Sequence, residues 1–188
     1  MGCLALAGGC AGEWAELPAG EIELGRHETT VAAFVEFLNG AVRSAYPETA
    51  QIARRPGGGY AAKAGAAGQA VAEVTAAEAE AYCAWRSRRE GRTVRLPTAA
   101  EWEWAARGGV DGAPYPWGWG GDPAARARFD AAGPAPRVGA YPANGFGLFD
   151  VAGNLYEWCA VDPADPAGRR MAGALVGLVY AATPVPQD

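Results

Sequence analysis

Few side chains in this sequence could do chemistry, and their types narrow it quickly. Cysteines stand at Cys3, Cys10, Cys83 and Cys159, and His27 is the single histidine. One imidazole excludes a three-histidine iron site within one chain. Nothing around His27 points to a zinc cluster or a Ser-His-Asp triad. The acids that draw notice lie in two segments that mix bulky aromatics with small residues in an order helix periodicity does not require. One runs Arg95-Leu96-Pro97-Thr98-Ala99-Ala100-Glu101-Trp102-Glu103-Trp104, ending at Gly108-Gly109. The other runs Gly147-Leu148-Phe149-Asp150-Val151-Ala152-Gly153-Asn154-Leu155-Tyr156-Glu157-Trp158.

Short elements must position these groups. Ile22 and Leu24 alternate with Glu21 and Glu23, a half-buried strand over Glu21 to Arg26, with His27 at its edge. Thr30 then reads as a helix N-cap, because Val31, Phe34, Val35 and Leu38 follow at the spacing of one helical face, with Gly40 as a stop. Thr75 with Glu78 and Thr98 with Glu101 are capping boxes opening two more helices. The first of these carries Ala79, Tyr82, Cys83 and Arg86 on one stripe and ends at Gly91; the second is short. Trp102 and Trp104, two apart, cannot share a helix face, so either the helix packs on two sides or one indole lies under a loop. Arg54 to Gln69 reads as a Gly/Ala-rich surface loop and Val110 to Ala143 as turns, with a short strand over Val138 to Tyr141. A loop at 162–166 precedes a terminal strand over Met171 to Ala182, which Pro184 and Pro186 stop.

The composition agrees with a loop-rich domain. The 188 residues suffice for one domain with a sizeable core, and 27 Gly and 14 Pro favour turns over a helical bundle. The net charge of −5, without a basic block, argues against a nucleic-acid partner. No apolar run reaches membrane-spanning length. Cys3-Leu4-Ala5-Leu6-Ala7-Gly8-Gly9-Cys10 is similar to the end of a bacterial lipoprotein signal with Cys10 as the lipidated residue, although a basic start is missing and the Leu stands one place too far from the cysteine. The other reading is a floppy apolar leader. A lipid anchor at Cys10 would place the protein at the cell envelope or outside the cell; without it a cytoplasmic location is expected.

Five pieces follow one another along the chain: the strand and helix from Ile22 to Leu38, Tyr82-Cys83-Ala84-Trp85, Arg95 to Glu103, Pro116-Trp117-Gly118, and Asn144 to Trp158. In order and spacing they resemble the formylglycine-generating enzyme (sulfatase-modifying factor) family, from about Glu21 to Trp158. The resemblance implies an α+β, C-type-lectin-like fold with few helices, short strands and long packed loops. That domain would span 20–182, between a leader at 1–19 and a tail at 183–188.

The same resemblance implies a calcium site. Its ligands would be the side chains of Asp150 and Glu157 and the backbone carbonyls of Gly153 and Leu155, all hard oxygen donors of the kind Ca²⁺ takes. The alternative is that both acids only cap turns. The family's other calcium site would fall near Arg126 to Ala132, where no ligand set is recognisable.

Active members are similar to one another in a pair of C-terminal cysteines, beyond an Arg-Gly-Gly-Ser-Trp-like strand. These bind copper(I), activate O₂ and oxidise a target cysteine to formylglycine; soft thiolates select Cu(I). Here no cysteine follows Cys159, and the strand is replaced at best by Arg170 to Leu175. Copper is therefore not expected. Cys83, on an apolar stripe, reads as a buried structural thiol, while a Cys83–Cys159 disulfide is open to an exported protein.

The expectation is a family member acting as a non-catalytic binding or scaffold domain for a protein or small-molecule ligand, with Tyr115, Trp117, Trp119 and Asp122 as candidate loop contacts. Loop-core packing is the favoured role for those four. The alternative is a divergent oxidase, or one truncated near Gly168, that acts on a sulfatase-type peptide.

Overall fold

The computed structural model describes residues 3–4, 13–18, 22–41, 46–129, 136–160 and 171–172. Cys10, the 162–166 loop, the remainder of the expected terminal strand and the 183–188 tail lie outside the described residues. Within them the chain is α+β, with three α-helices and eight strands of two or three residues.

The strands pair two by two. β1 (Cys3–Leu4) runs parallel to β6 (Val94–Arg95), and β2 (Trp14–Glu16) antiparallel to β3 (Glu23–Gly25). β4 (Ile52–Arg54) and β5 (Tyr60–Ala62) form an antiparallel hairpin, and β7 (Glu157–Trp158) pairs antiparallel with β8 (Met171–Ala172), Glu157 standing opposite Ala172. The hairpin at 52–62 corrects the expectation of a featureless loop from Arg54 to Gln69. Gly57, Gly58 and Gly59 all take positive φ and close a tight turn, in which the Gly58 N–H donates to the Arg55 carbonyl at 3.0 Å. Ile52 and Tyr60 then bury their side chains on one face. No strand forms over Val138 to Tyr141: Val138 and Gly139 make a turn, with Gly139 at φ 74°.

The helices follow the sequence signals. α1 (Val31–Gly40) is capped by Thr30, whose side chain accepts from the Ala33 N–H at 3.2 Å. Besides the expected face it buries Phe37, so it packs on two sides. α2 (Ala76–Glu90) opens on the Thr75–Glu78 capping box and ends at Gly91 in the left-handed region, φ 67°. α3 (Ala99–Ala106) opens on the Thr98–Glu101 box. Arg95 clamps the same Glu101 with two hydrogen bonds of 2.9 and 2.8 Å, which fixes the approach of β6 to the helix.

Two apolar clusters result. The first joins α1, α2 and the hairpin through Phe34, Phe37, Tyr46, Ile52, Tyr60 and Tyr82. The second gathers Leu17, Leu24, Trp102, Leu148, Val151 and Cys159. β7 lies between them: Trp158 packs against the first cluster and Cys159 enters the second, the alternation a strand imposes. No helix of the described residues is long and apolar enough to cross a membrane.

Candidate functional site

The loop from Asn144 to Glu157 is built around side chains that satisfy main-chain groups. Asn144 donates to the Ala105 and Ala106 carbonyls at 2.8 and 3.2 Å, and accepts from the Phe146 and Leu148 N–H groups. One amide thus ties the loop to the carbonyls at the C-terminus of α3. Asp150 and Asn154 both take positive φ, 55° and 54°, a conformation these two residue types tolerate best after glycine. Between them Gly153 is required: at φ 81° an added Cβ would lie 2.2 Å from the Arg128 carbonyl oxygen. The Asn154 N–H donates to that same carbonyl at 2.9 Å.

This frame turns three acids inward. Glu157, on β7, accepts from the Trp102 indole N–H of α3 through Oε2. Asp150 accepts from the Gly139 N–H. Glu28, in the loop ahead of α1, accepts from the Asn154 side-chain amide through Oε2. All three are buried, at 4–7% exposure.

Removal from water raises each carboxyl above its ordinary range. For Glu28 the neighbouring Glu157 charge adds to the rise, and the Asn154 hydrogen bond opposes it. Glu157 is raised by burial first, against the Trp102 hydrogen bond, with Asp150 adding to the rise. In Asp150 burial outweighs the Gly139 hydrogen bond. His27 stacks on Phe149 at 4.6 Å between centroids, and burial lowers its pKa.

What distinguishes the cluster is what remains unpaired. Glu28 Oε1, Glu157 Oε1 and Asn154 Oδ1 are buried without a hydrogen-bond partner. All three are acceptors, and two belong to carboxylates that repel one another, so the centre as it stands disfavours folding with both acids ionised. A cation is the group this donor set fits. Among the described residues, no three His, Cys, Asp or Glu side chains cluster closely enough to hold a metal ion by themselves. Amide and main-chain oxygens must complete any such site, as calcium, with six to eight oxygen ligands, allows. Glu28 and Glu157 also line a half-open cavity of about 90 Å³, walled by Phe34, Val71, Tyr82, Leu96 and Trp158 among others.

The structure brings Asp150, Gly153, Leu155 and Glu157 into one loop. It adds Glu28, which sequence reasoning missed. Its only signal was an acid placed just ahead of the α1 cap, outside either notable segment. Burial also raises the Cys83 and Cys159 thiols to about 12, so neither is a thiolate at neutral pH. Both are free and sit in different clusters, so the Cys83–Cys159 disulfide is not formed. Of the loop candidates, Tyr115 and Trp117 stack on one another at 4.8 Å, and Asp122 caps a 3₁₀ turn by accepting from the Ala124 N–H. Trp119 alone stays free, at 67% exposure.

Three capped helices, paired short strands and long packed loops are the kind of domain the sequence resembled, and the comparisons agree on the family. Residues 17–174 match the family model of the sulfatase-modifying factor enzyme 1-like domain, and the chain belongs to that family. It is 43% identical over 105 residues to the formylglycine-generating enzyme of Thermomonospora curvata, covering 48% of this chain and 32% of the relative. It is 42% identical over 113 residues to the inactive C-alpha-formylglycine-generating enzyme 2 of Mus musculus, covering 54% and 34%. The Mycobacterium tuberculosis formylglycine-generating enzyme is 42% identical over 111 residues, covering 51% and 34%. The matched stretches span about a third of the length of these relatives.

Proposed function

We propose that this chain is a non-catalytic, C-type-lectin-like member of the family, a binding or scaffold domain whose 150–157 loop is stiffened by calcium. The ligands would be the Asp150 and Glu157 carboxylates and the Gly153 and Leu155 carbonyls. The observation that carries the calcium part is the set of buried acceptor oxygens left unpaired beside Glu157. Calcium would neutralise these acids and fix a loop whose backbone already holds three residues at positive φ. The non-catalytic part rests on the thiols: Cys83 and Cys159 are protonated, buried and in separate clusters. Copper-dependent oxidation of a cysteine needs a thiolate pair on one metal.

The second reading, an oxidase converting a sulfatase cysteine to formylglycine, draws on the 43% identity with a formylglycine-generating enzyme. Nearly the same identity links the chain to an inactive relative, so likeness does not separate the two. The deciding experiment incubates a Cys-x-Pro-x-Arg peptide with the folded chain, copper(I), reductant and O₂, and reads the peptide by mass spectrometry. No conversion is expected; formylglycine in the product would establish the oxidase instead.

A further inference from the structure

We propose that the groove between α1 and α2 is a saccharide-binding site, which reads a neutral, polyhydroxylated chain through the Trp85 indole N–H and the Arg89–Glu36 pair. This gives a ligand class to the binding-domain reading, on which it rests, and needs neither calcium nor copper.

The groove has a volume of about 270 Å³, and its walls include Trp14 of β2, Glu36 of α1, and Tyr82, Trp85 and Arg86 of α2. It runs on past Asn39 and Gly40 at the end of α1, with Glu36, Trp85 and Arg89 common to both stretches. Its chemistry is paired. Arg89 lies over the Trp85 ring at 5.2 Å and meets Glu36 at 3.0 Å, so a planar donor fork and an acceptor are held side by side. Deeper in, Arg86 is 5% exposed and donates to Glu90 and, at 3.3 Å, to the Tyr82 hydroxyl. Three acids and three arginines line the whole groove, so it favours neither an anion nor a cation. A hydroxyl accepts and donates at once, and neighbouring hydroxyls match a guanidinium beside a carboxylate. The indole and phenol rings suit the C–H face of a sugar. A peptide strand would seek main-chain partners, but both long walls are helices whose main-chain groups are spent internally.

Trp85 supplies the second observation. It is half-buried, and its indole N–H has no acceptor among the described residues. Gly40 keeps that N–H clear: a Cβ there would lie 3.1 Å from Trp85 Nε1.

The test is NMR of the isotope-labelled full chain, following the Trp85 indole N–H, assigned by its loss in Trp85→Phe. The probes are neutral linear trisaccharides of glucose, mannose and N-acetylglucosamine, with a galacturonate trimer and a neutral Gly/Ser/Ala hexapeptide as rivals. A saturable shift with a neutral trisaccharide is expected. Gly40→Ala crowds the N–H while replacing a helical glycine, so it should weaken binding roughly fivefold or more with folding intact by circular dichroism. Arg89→Lys keeps the charge but loses the planar fork, and should weaken binding roughly tenfold, as Arg89→Ala should. No saturable shift with any neutral trisaccharide would overturn the proposal, as would tighter binding of the galacturonate trimer or the hexapeptide. Wild-type affinity in both Gly40→Ala and Arg89→Lys would place the sugar elsewhere and overturn it too. Each of these outcomes leaves the non-catalytic reading standing, which fails only if the peptide-oxidation assay yields formylglycine.

Discussion

At the residue scale, the site is a balance between buried charge and the groups available to satisfy it. Glu28 and Glu157 have carboxyls raised above the usual range, mainly by burial, so the folded chain binds more protons than the unfolded one in the window above about pH 4.5. Stability without metal should therefore rise as pH falls from 7 toward 5. His27, whose pKa is lowered, works against this below its ordinary value, but it is a single half-buried group against two buried acids. With calcium the order should reverse, because the ion needs both carboxylates ionised. Melting curves across that range in chelator and in calcium check both signs. Gly153 gives a sharper test of geometry. Gly153→Ala places a Cβ on the Arg128 carbonyl at a backbone angle alanine resists, and should cost roughly 2 kcal/mol or more in urea denaturation. A cost within a few tenths would mean the 153 turn is not held as described.

At the element scale, the three helices were legible in the sequence because their signals are local. Thr30, Thr75 and Thr98 cap the helices they were expected to cap. Removing a cap from a folded domain typically costs about 1 kcal/mol. Thr98→Ala should cost at least that in urea denaturation, since the Glu101 it orients also clamps Arg95. A neutral substitution would show that β6 alone fixes the start of α3. The 52–62 hairpin was hidden because its turn is glycine-rich, and glycine marks loops and tight hairpin turns alike. Trp102 and Trp104 divide as their spacing requires: Trp102 is buried against Glu157, and Trp104 tilts over Phe146 while remaining 41% exposed. Glu28 was hidden for another reason. Its partners Asn154 and Glu157 are more than a hundred residues away, and no local pattern reveals a contact that only the packing of the loop ahead of α1 against the 150–157 loop creates.

At the scale of the whole molecule, long loops are held between two small apolar clusters by side chains acting as main-chain partners, with Asn144 as the clearest case. In such a domain a cation held in the proposed 150–157 site would stabilise more than its own coordination shell, because it would fix a loop that regular sheets do not hold. The family was legible from motif order; the partner on which a binding domain would act was not, since loop surfaces such as that around Trp119 carry no ligand chemistry of their own. The most direct measurement is thermal unfolding of the full chain in chelator and in millimolar calcium at pH 7. At about a hundredfold excess over the dissociation constant the ion should contribute roughly 2.7 kcal/mol. In a domain of this size that raises the melting temperature by about 5–10 °C, and Asp150→Ala should abolish the rise. An unchanged melting temperature in the wild-type chain would contradict a calcium-stiffened loop.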